Sequence, residues 1–230
     1  MKPELRERML QVLKDNLGEI DFSYYKSIHR IESLADILIE HTETRDSLLN
    51  LCSGAFLLEC ILEDRGYAHL TAVDADARLA SLYESLMKAG LLTNTSYHEK
   101  EITKFASKEA FNFITLYDCA YYPGNDLIEM LPQLNGLLER GGHMLFDVYD
   151  ISTYKYIKPF YDLVRKKYRN RVMYDLDELA AALDRNHFEI IETKIELGKK
   201  TILVKIALSA VFFITRRALV VRYLVRKKAG

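Results

Sequence analysis

A chain of 230 residues, 49% hydrophobic and 28% charged, is long enough to bury a full core and has an ordinary globular composition. Its formal net charge of −1 supplies no global field for a polyanion, which weighs against a nucleic-acid partner. Its three cysteines, Cys52, Cys60 and Cys119, are odd in number and lack CxxC spacing, so they read as free thiols of a reducing compartment.

Residues 3–16 carry Leu5, Met9, Val12 and Leu13 at helical spacing, and the charge spread along them is unlike a secretory leader. After a break at DFSYY (21–25), residues 25–41 read as a second helix with Ile28, Ile31, Leu34, Ala35, Leu38 and Ile39 on one face. The stretch 47–74, SLLNLCSGAFLLECILEDRGYAHLTAVD, then reads as four pieces. They are a buried strand (48–51), a tight turn at Cys52, Ser53 and Gly54, a helix from about 55 to 64 closed by Gly66, and a strand (69–73) ending on Asp74. A strand that opens through small residues into a helix lets a ligand reach free backbone N–H groups, and an acid about 20 residues on can accept hydrogen bonds from a ribose diol. Asp74 stands 20 residues after Gly54.

A helix over 76–88, with Leu79, Leu82, Tyr83 and Leu86 inward and Gly90 as its stop, precedes a weak strand (95–99) and a strong one (113–118). Asp126 caps a helix of Leu127, Met130, Leu131, Leu134 and Leu138 that ends at Gly141 and Gly142, and MLFDV (144–148) is the next strand. Residues 154–169, aromatic and basic, read as helical; Asp175 opens a capped helix with Glu178 as the reaching carboxylate, and 188–194 is a strand. Strands alternating with helices predict an α/β, doubly wound fold with a parallel sheet and helices on both faces. Ligands of such sheets sit outside the carboxyl ends of the strands, here 52–56, 74–76, 99–102, 117–123 and 149–154.

These segments resemble the class I S-adenosylmethionine-dependent methyltransferases over nearly the whole chain. SLLNLCSGAF is similar to that family's first strand and glycine loop, and TAVDADARLASLYE to the second strand with its ribose-binding acid. FNFITLYDCAYY and DLIEMLPQLNGLLERGGHMLFDVYD resemble its fourth strand, helix, Gly-Gly turn and fifth strand; the block 111–150 is the most specific match. LDELAAALDRNHFEIIETK is similar to the last helix and sixth strand. The resemblance implies a Rossmann-like, seven-stranded, mostly parallel sheet whose antiparallel last strand inserts between the fifth and sixth. ALVVRYLVRK suits that strand, being a near-continuous apolar run, and residues 202–214 would be the connection, too short and too interrupted by Lys205 to span a bilayer.

It further implies S-adenosylmethionine as cofactor, with S-adenosylhomocysteine as product, bound by Asn50, Cys52, Ser53, Gly54, Asp74, Ala75, Glu101, Ile102 and Tyr117. The reaction would be in-line SN2 transfer of a methyl group to N, O or C of a small-molecule acceptor, with no metal and in the cytoplasm. Asp118 is the candidate acid/base, or else a loop cap. Tyr25, His29, Tyr121, Tyr122, Tyr149 and Tyr154 would frame the acceptor pocket. Residues 1–44 would be a cap over the cofactor site and 45–230 the methyltransferase-like domain.

Three positions depart from the family pattern. Cys52 and Phe56 stand where its loop has glycine, and Asn50 where an acid is common. They leave open a non-methylating or regulatory S-adenosylmethionine-binding protein on the same scaffold, with Phe56 either obstructing the pocket or belonging to the core. A nicotinamide oxidoreductase lacks its GxGxxG here. The basic residues Arg216, Arg217, Arg222, Arg226, Lys227 and Lys228 read as a solvated edge rather than a lipid or RNA surface.

Overall fold

The computed structural model describes residues 2–17, 28–120, 124–152, 155, 172–195 and 220–229. Seven strands form one sheet: β1 (Ser47–Leu51), β2 (His69–Asp74), β3 (Thr95–Glu99), β4 (Phe111–Leu116), β5 (Leu138–Tyr149), β6 (Phe188–Ile195) and β7 (Val220–Lys227). Their order is β3-β2-β1-β4-β5-β7-β6. β1 runs parallel to β2 and β2 to β3, whereas β7 is antiparallel to both β5 and β6. The inserted last strand is thus where the resemblance implies it. Val220 to Val225 are buried without interruption, as an interior strand covered on both faces must be.

The helices are α1 (Pro3–Leu17), α2 (Ile28–His41), α3 (Leu57–Asp64), α4 (Leu79–Lys88), α5 (Leu127–Leu137) and α6 (Leu176–Arg185). Among the described residues, no helix is long and apolar enough to cross a membrane. The chain divides into two compact units, residues 1–114 and 115–230.

In the first unit α1 packs on α4 and α2 on α3. Met9, Leu13, Ile28, Phe56, Leu57, Cys60, Leu79, Leu82, Leu86 and Leu92 make one buried cluster, so the periodic apolar faces of the N-terminal helices are core. Ser47 fixes the start of β1: its N–H and hydroxyl donate to Asn112 Oδ1 at 2.9 and 3.0 Å. In the second unit α6 packs on β6 and on α5. Asp126 and Asp175 are the helix caps expected, accepting from Ile128 N and from Asp177 and Glu178 N respectively.

Four boundaries shift from expectation, each for a local reason. Helix α3 starts at Leu57 because Phe56 has the left-handed φ of 58°. Helix α4 starts at Leu79, not 76, because the Asp76 carboxylate accepts from Arg78 N at 3.1 Å and forms a turn. β4 covers Phe111–Leu116 and stops before Asp118, whose φ of 54° is incompatible with a strand. Leu138, expected on the helix, begins β5, and Lys227 Nζ donates to the carbonyls of Asn135 and Leu138 at 2.7 Å each, closing the helix end. The expected helix at 154–169, apart from residue 155, and the connection at 202–214 lie outside the described residues.

Candidate functional site

In the first unit, the turn after β1 is held in an alternating backbone. Cys52, Gly54 and Phe56 all have left-handed φ, at 59°, 58° and 58°. Glycine adopts this conformation freely, whereas a side chain there costs roughly 1–2 kcal/mol. The loop therefore holds two non-glycine residues, Cys52 and Phe56, in the backbone that glycine adopts most freely.

Asp74, at the end of β2, holds that turn. Its Oδ2 accepts from Gly54 N at 2.9 Å and its Oδ1 from Asp76 N at 3.0 Å. Ser53 N donates to the Val73 carbonyl at 3.1 Å and Lys100 N to the Asp74 carbonyl at 2.9 Å, so the ends of β1, β2 and β3 are tied through one residue. Each carboxylate oxygen retains a lone pair for a hydroxyl donor. Ser53 Oγ is buried and has no hydrogen-bond partner among the described residues. Beside Asp74, a cleft of about 360 Å³ is lined by Ala75, Glu99, Lys100, Glu101 and Lys104. Ala75 and Glu101 thus open on it, Glu101 paired with Lys104 at 2.8 Å, while Ile102 is buried.

Phe56 is core. It is 0% exposed, with its ring 5.0 Å from Tyr97 in an edge-on contact and 5.6 Å from Tyr83. Burial first, and then the carboxylates of Asp74, Glu99 and Asp76, push the Tyr97 phenol up to about 12, so it is neutral at physiological pH.

Asn50, near the end of β1, donates its amide Nδ2 to Glu59 Oε1 at 2.7 Å. Glu59 was not foreseen. It is 1% exposed, and its Oε2 has no partner among the described residues. Burial pushes its carboxyl up to about 7, the hydrogen bond from Asn50 acting the other way.

In the second unit, Tyr117 and Asp118 follow β4. Tyr117 is buried; its hydroxyl accepts from Arg222 Nη2 at 3.0 Å, and the guanidinium lies 5.0 Å from its ring centre. Asp118 N donates to Asp147 Oδ1 at 2.7 Å, which secures its left-handed turn. Asp147 and Arg222 stand directly opposite each other on β5 and β7, and both are buried. Tyr149 ends β5, where its carbonyl accepts from Tyr174 N at 2.8 Å. The Tyr174 hydroxyl in turn accepts from Leu127 N and donates to the Ala120 carbonyl, both at 2.8 Å.

Of the acceptor-pocket residues, Tyr25, Tyr121, Tyr122 and Tyr154 lie outside the described residues. His29 is exposed on α2, 3.2 Å from Glu32. The reading of the basic tail as a solvated edge fails at Arg222, which is 4% exposed. Arg226 pairs with Glu189 and Lys228 with Asp184, both at 2.5 Å. Glu59, Asp147 and Arg222 shared one sequence signal: a lone charge inside an apolar run (LLECIL, MLFDV, VVRYLV), which is rarely buried without a specific purpose.

No protein-family model matches the chain, and no curated protein matches it. Solved structures do. Magnesium protoporphyrin IX methyltransferase from Synechocystis PCC 6803, solved with S-adenosylhomocysteine bound, superposes with a TM-score of 0.63 at 12% identity, covering 98% of this chain and 95% of that one. An S-adenosylmethionine-dependent methyltransferase from Clostridium acetobutylicum gives 0.61 at 13% identity, with 97% and 99% covered. Another from Mesorhizobium loti gives 0.60 at 15% identity, with 85% and 99% covered. At such identities the likeness establishes the fold.

Proposed function

We propose that this chain, which has the fold of S-adenosylmethionine-dependent methyltransferases, is itself such an enzyme and methylates a small molecule at N, O or C. The observation that carries the reading is the turn after β1: three left-handed residues clamped by the Asp74 carboxylate, with the Ser53 hydroxyl buried and unpartnered. An orphaned buried hydroxyl costs free energy that a polar ligand would recover. The residues present fit the cofactor. The backbone of Cys52, Ser53 and Gly54, with Asn50, would hold one end of it; the free lone pairs of Asp74 would take the ribose hydroxyls. Ala75, Glu101 and Ile102 would border the remainder.

The cofactor, when bound, would supply an electrophilic methyl group that the acceptor attacks in line, the C–S bond breaking to release S-adenosylhomocysteine as a neutral thioether. What the protein adds is chiefly orientation, since near-attack geometry alone can supply most of the acceleration. Asp118 is the candidate to take the acceptor's proton or to orient it. Its backbone is fixed for either task by Asp147, and Arg222 holds the Tyr117 hydroxyl. The small-molecule acceptor is supported by the porphyrin methyltransferase among the neighbours. A cytoplasmic setting agrees with three free cysteines. A binding-only protein on this scaffold is favoured by the two non-glycine residues, but both hold the backbone that glycine adopts most freely.

Thermal denaturation with S-adenosylmethionine tests the reading. At about a hundredfold over Kd the native state gains about 2.7 kcal/mol, which for a chain of this size is a rise of roughly 5–10 °C. Asp74→Ala, compared with its own unliganded baseline, should lose most of that rise. No rise in the wild type at millimolar cofactor refutes the proposal. Binding without transfer of labelled methyl to any member of a small-molecule library favours the binding-only protein.

A further inference from the structure

We propose that Glu59 is a proton-exchanging positioning residue for the cofactor loop: it holds the Asn50 amide, and it gives up its proton when a cation binds at that loop. The inference rests on the S-adenosylmethionine reading and extends it to a residue outside the loop.

The geometry comes first. Glu59 lies in the first turn of α3, between Leu57, Leu58, Cys60, Ile61 and Leu62, every one of them buried. An acid in that stretch has no solvent to turn to. Its Oε1 is used by the Asn50 amide at 2.7 Å, while its Oε2 is buried with no partner among the described residues. A buried carboxylate with one oxygen unsolvated is unfavourable as an anion, and the cheaper state is the protonated one. A neutral carboxyl can still accept from Asn50, so the amide is held in either state.

The surrounding charges reinforce this. Asp74 at the end of β2 and Glu63 one turn along α3 both act on Glu59, and both carry its own sign. Cys60 beside it is a thiol pushed well up by burial and by Glu59 itself. β1 (SLLNL) brings no charge. The helix packed on α3 is α2, whose titratable and charged residues are His29, Arg30, Glu32, Asp36, Glu40 and His41; none of them contributes to the shift of Glu59. No cation therefore offsets it from within the unit's described residues. A carboxyl at about 7 is poised near half ionisation at neutral pH.

Asn50, which Glu59 holds, lies two residues before Cys52, and Asp74, which clamps Gly54, acts on Glu59, so Glu59 is coupled from both sides to the turn proposed to take a ligand bearing a sulfonium and an ammonium. An opposite charge within roughly 4–6 Å lowers an acid's pKa by roughly one to three units. Arrival of a cation would ionise Glu59, and the new anion would in turn hold the cation. The step balances: one proton leaves Glu59 for solvent, and one ligand cation takes its place as counter-charge.

The test is calorimetric titration of S-adenosylmethionine into the wild type and into Glu59→Gln, in two buffers of different ionisation enthalpy, from pH 6 to pH 8. The carboxamide keeps an oxygen for Asn50 but cannot titrate. The ligand's own amine contributes equally to both proteins, so the difference between them is the readout. The wild type should release roughly 0.4 proton more than Glu59→Gln at pH 7. Its affinity should also fall roughly tenfold more than the variant's from pH 8 to pH 6. Identical proton release and parallel pH profiles overturn the inference and leave the methyltransferase reading intact, as does a variant weakened equally at every pH, which would mark a merely structural role. Absence of binding by the wild type at every pH overturns both.

Discussion

At Phe56 the backbone and the side chain answer to different partners. The backbone is left-handed because the turn after β1 requires it, and the ring is fully buried against Tyr83 of α4 and Tyr97 of β3. Phe56→Gly would relieve roughly 1–2 kcal/mol of backbone strain. It would forfeit roughly 3–5 kcal/mol of core packing. The packing loss is larger, so the variant should be less stable by about 2 kcal/mol, read as a lower urea midpoint. A more stable variant would mean that the ring does not belong to the core. Glu59 gives a prediction of opposite sign. An acid whose folded pKa is raised from 4.5 to about 7 keeps its proton when folded and loses it when unfolded between those values. The native state then binds more protons, so stability is intact below about pH 4.5, falls as pH rises to about 7, and is flat above. Glu59→Gln should therefore leave stability nearly unchanged at pH 4 and raise it at pH 8 by an amount approaching roughly 3 kcal/mol. Equal stability differences at the two pH values would sink this account.

The elements that carry the candidate site differ in how they are made. β1, α3 and β2 form a continuous stretch, and their turn is closed by local contacts of Asp74 with Gly54 and Asp76. β7 is of another kind: it brings Arg222 from the far end of the chain to Tyr117, 105 residues away, and sets it opposite Asp147 on β5. Arg222→Met would remove the donor to Tyr117 and leave Asp147 buried opposite an apolar side chain. Loss of that charge-assisted hydrogen bond to Tyr117 typically costs roughly 1.5–3 kcal/mol. The expected result is a large fall in melting temperature, partly restored by Arg222→Lys. A fall no greater than that of a surface substitution would show that the arginine is dispensable to β7.

For the whole molecule, the decisive feature is the sheet order β3-β2-β1-β4-β5-β7-β6, in which the last strand in sequence is interior. Truncation after Gly198 would remove β7 and strip β5 and β6 of their shared neighbour, exposing the backbone groups that now pair with Val220 to Lys227. The truncated chain should be insoluble or unfolded by circular dichroism. A folded, soluble product that had lost membrane association would instead mark the tail as an anchor.

The amino-acid sequence by itself determined what depends on near neighbours. Periodicity placed the helices, apolar runs placed the strands, and the caps at Asp126 and Asp175 were legible because a cap is a contact of two or three residues. The run at 220–225 suited the last strand that the family resemblance implied, because a strand covered on both faces reads as a near-continuous apolar run. The turn at Cys52 to Gly54 and the acid at Asp74 were readable for the same reason: their spacing is fixed within one βαβ unit. Only the tertiary structure decided what lies across the fold. It turned Phe56 into the core, buried Glu59 against Asn50, brought Arg222 to Tyr117, and ended β4 at Leu116 by giving Asp147 to Asp118 N. A charge inside an apolar run announces that something must compensate it, but the compensating group is chosen by which elements the sheet order brings alongside.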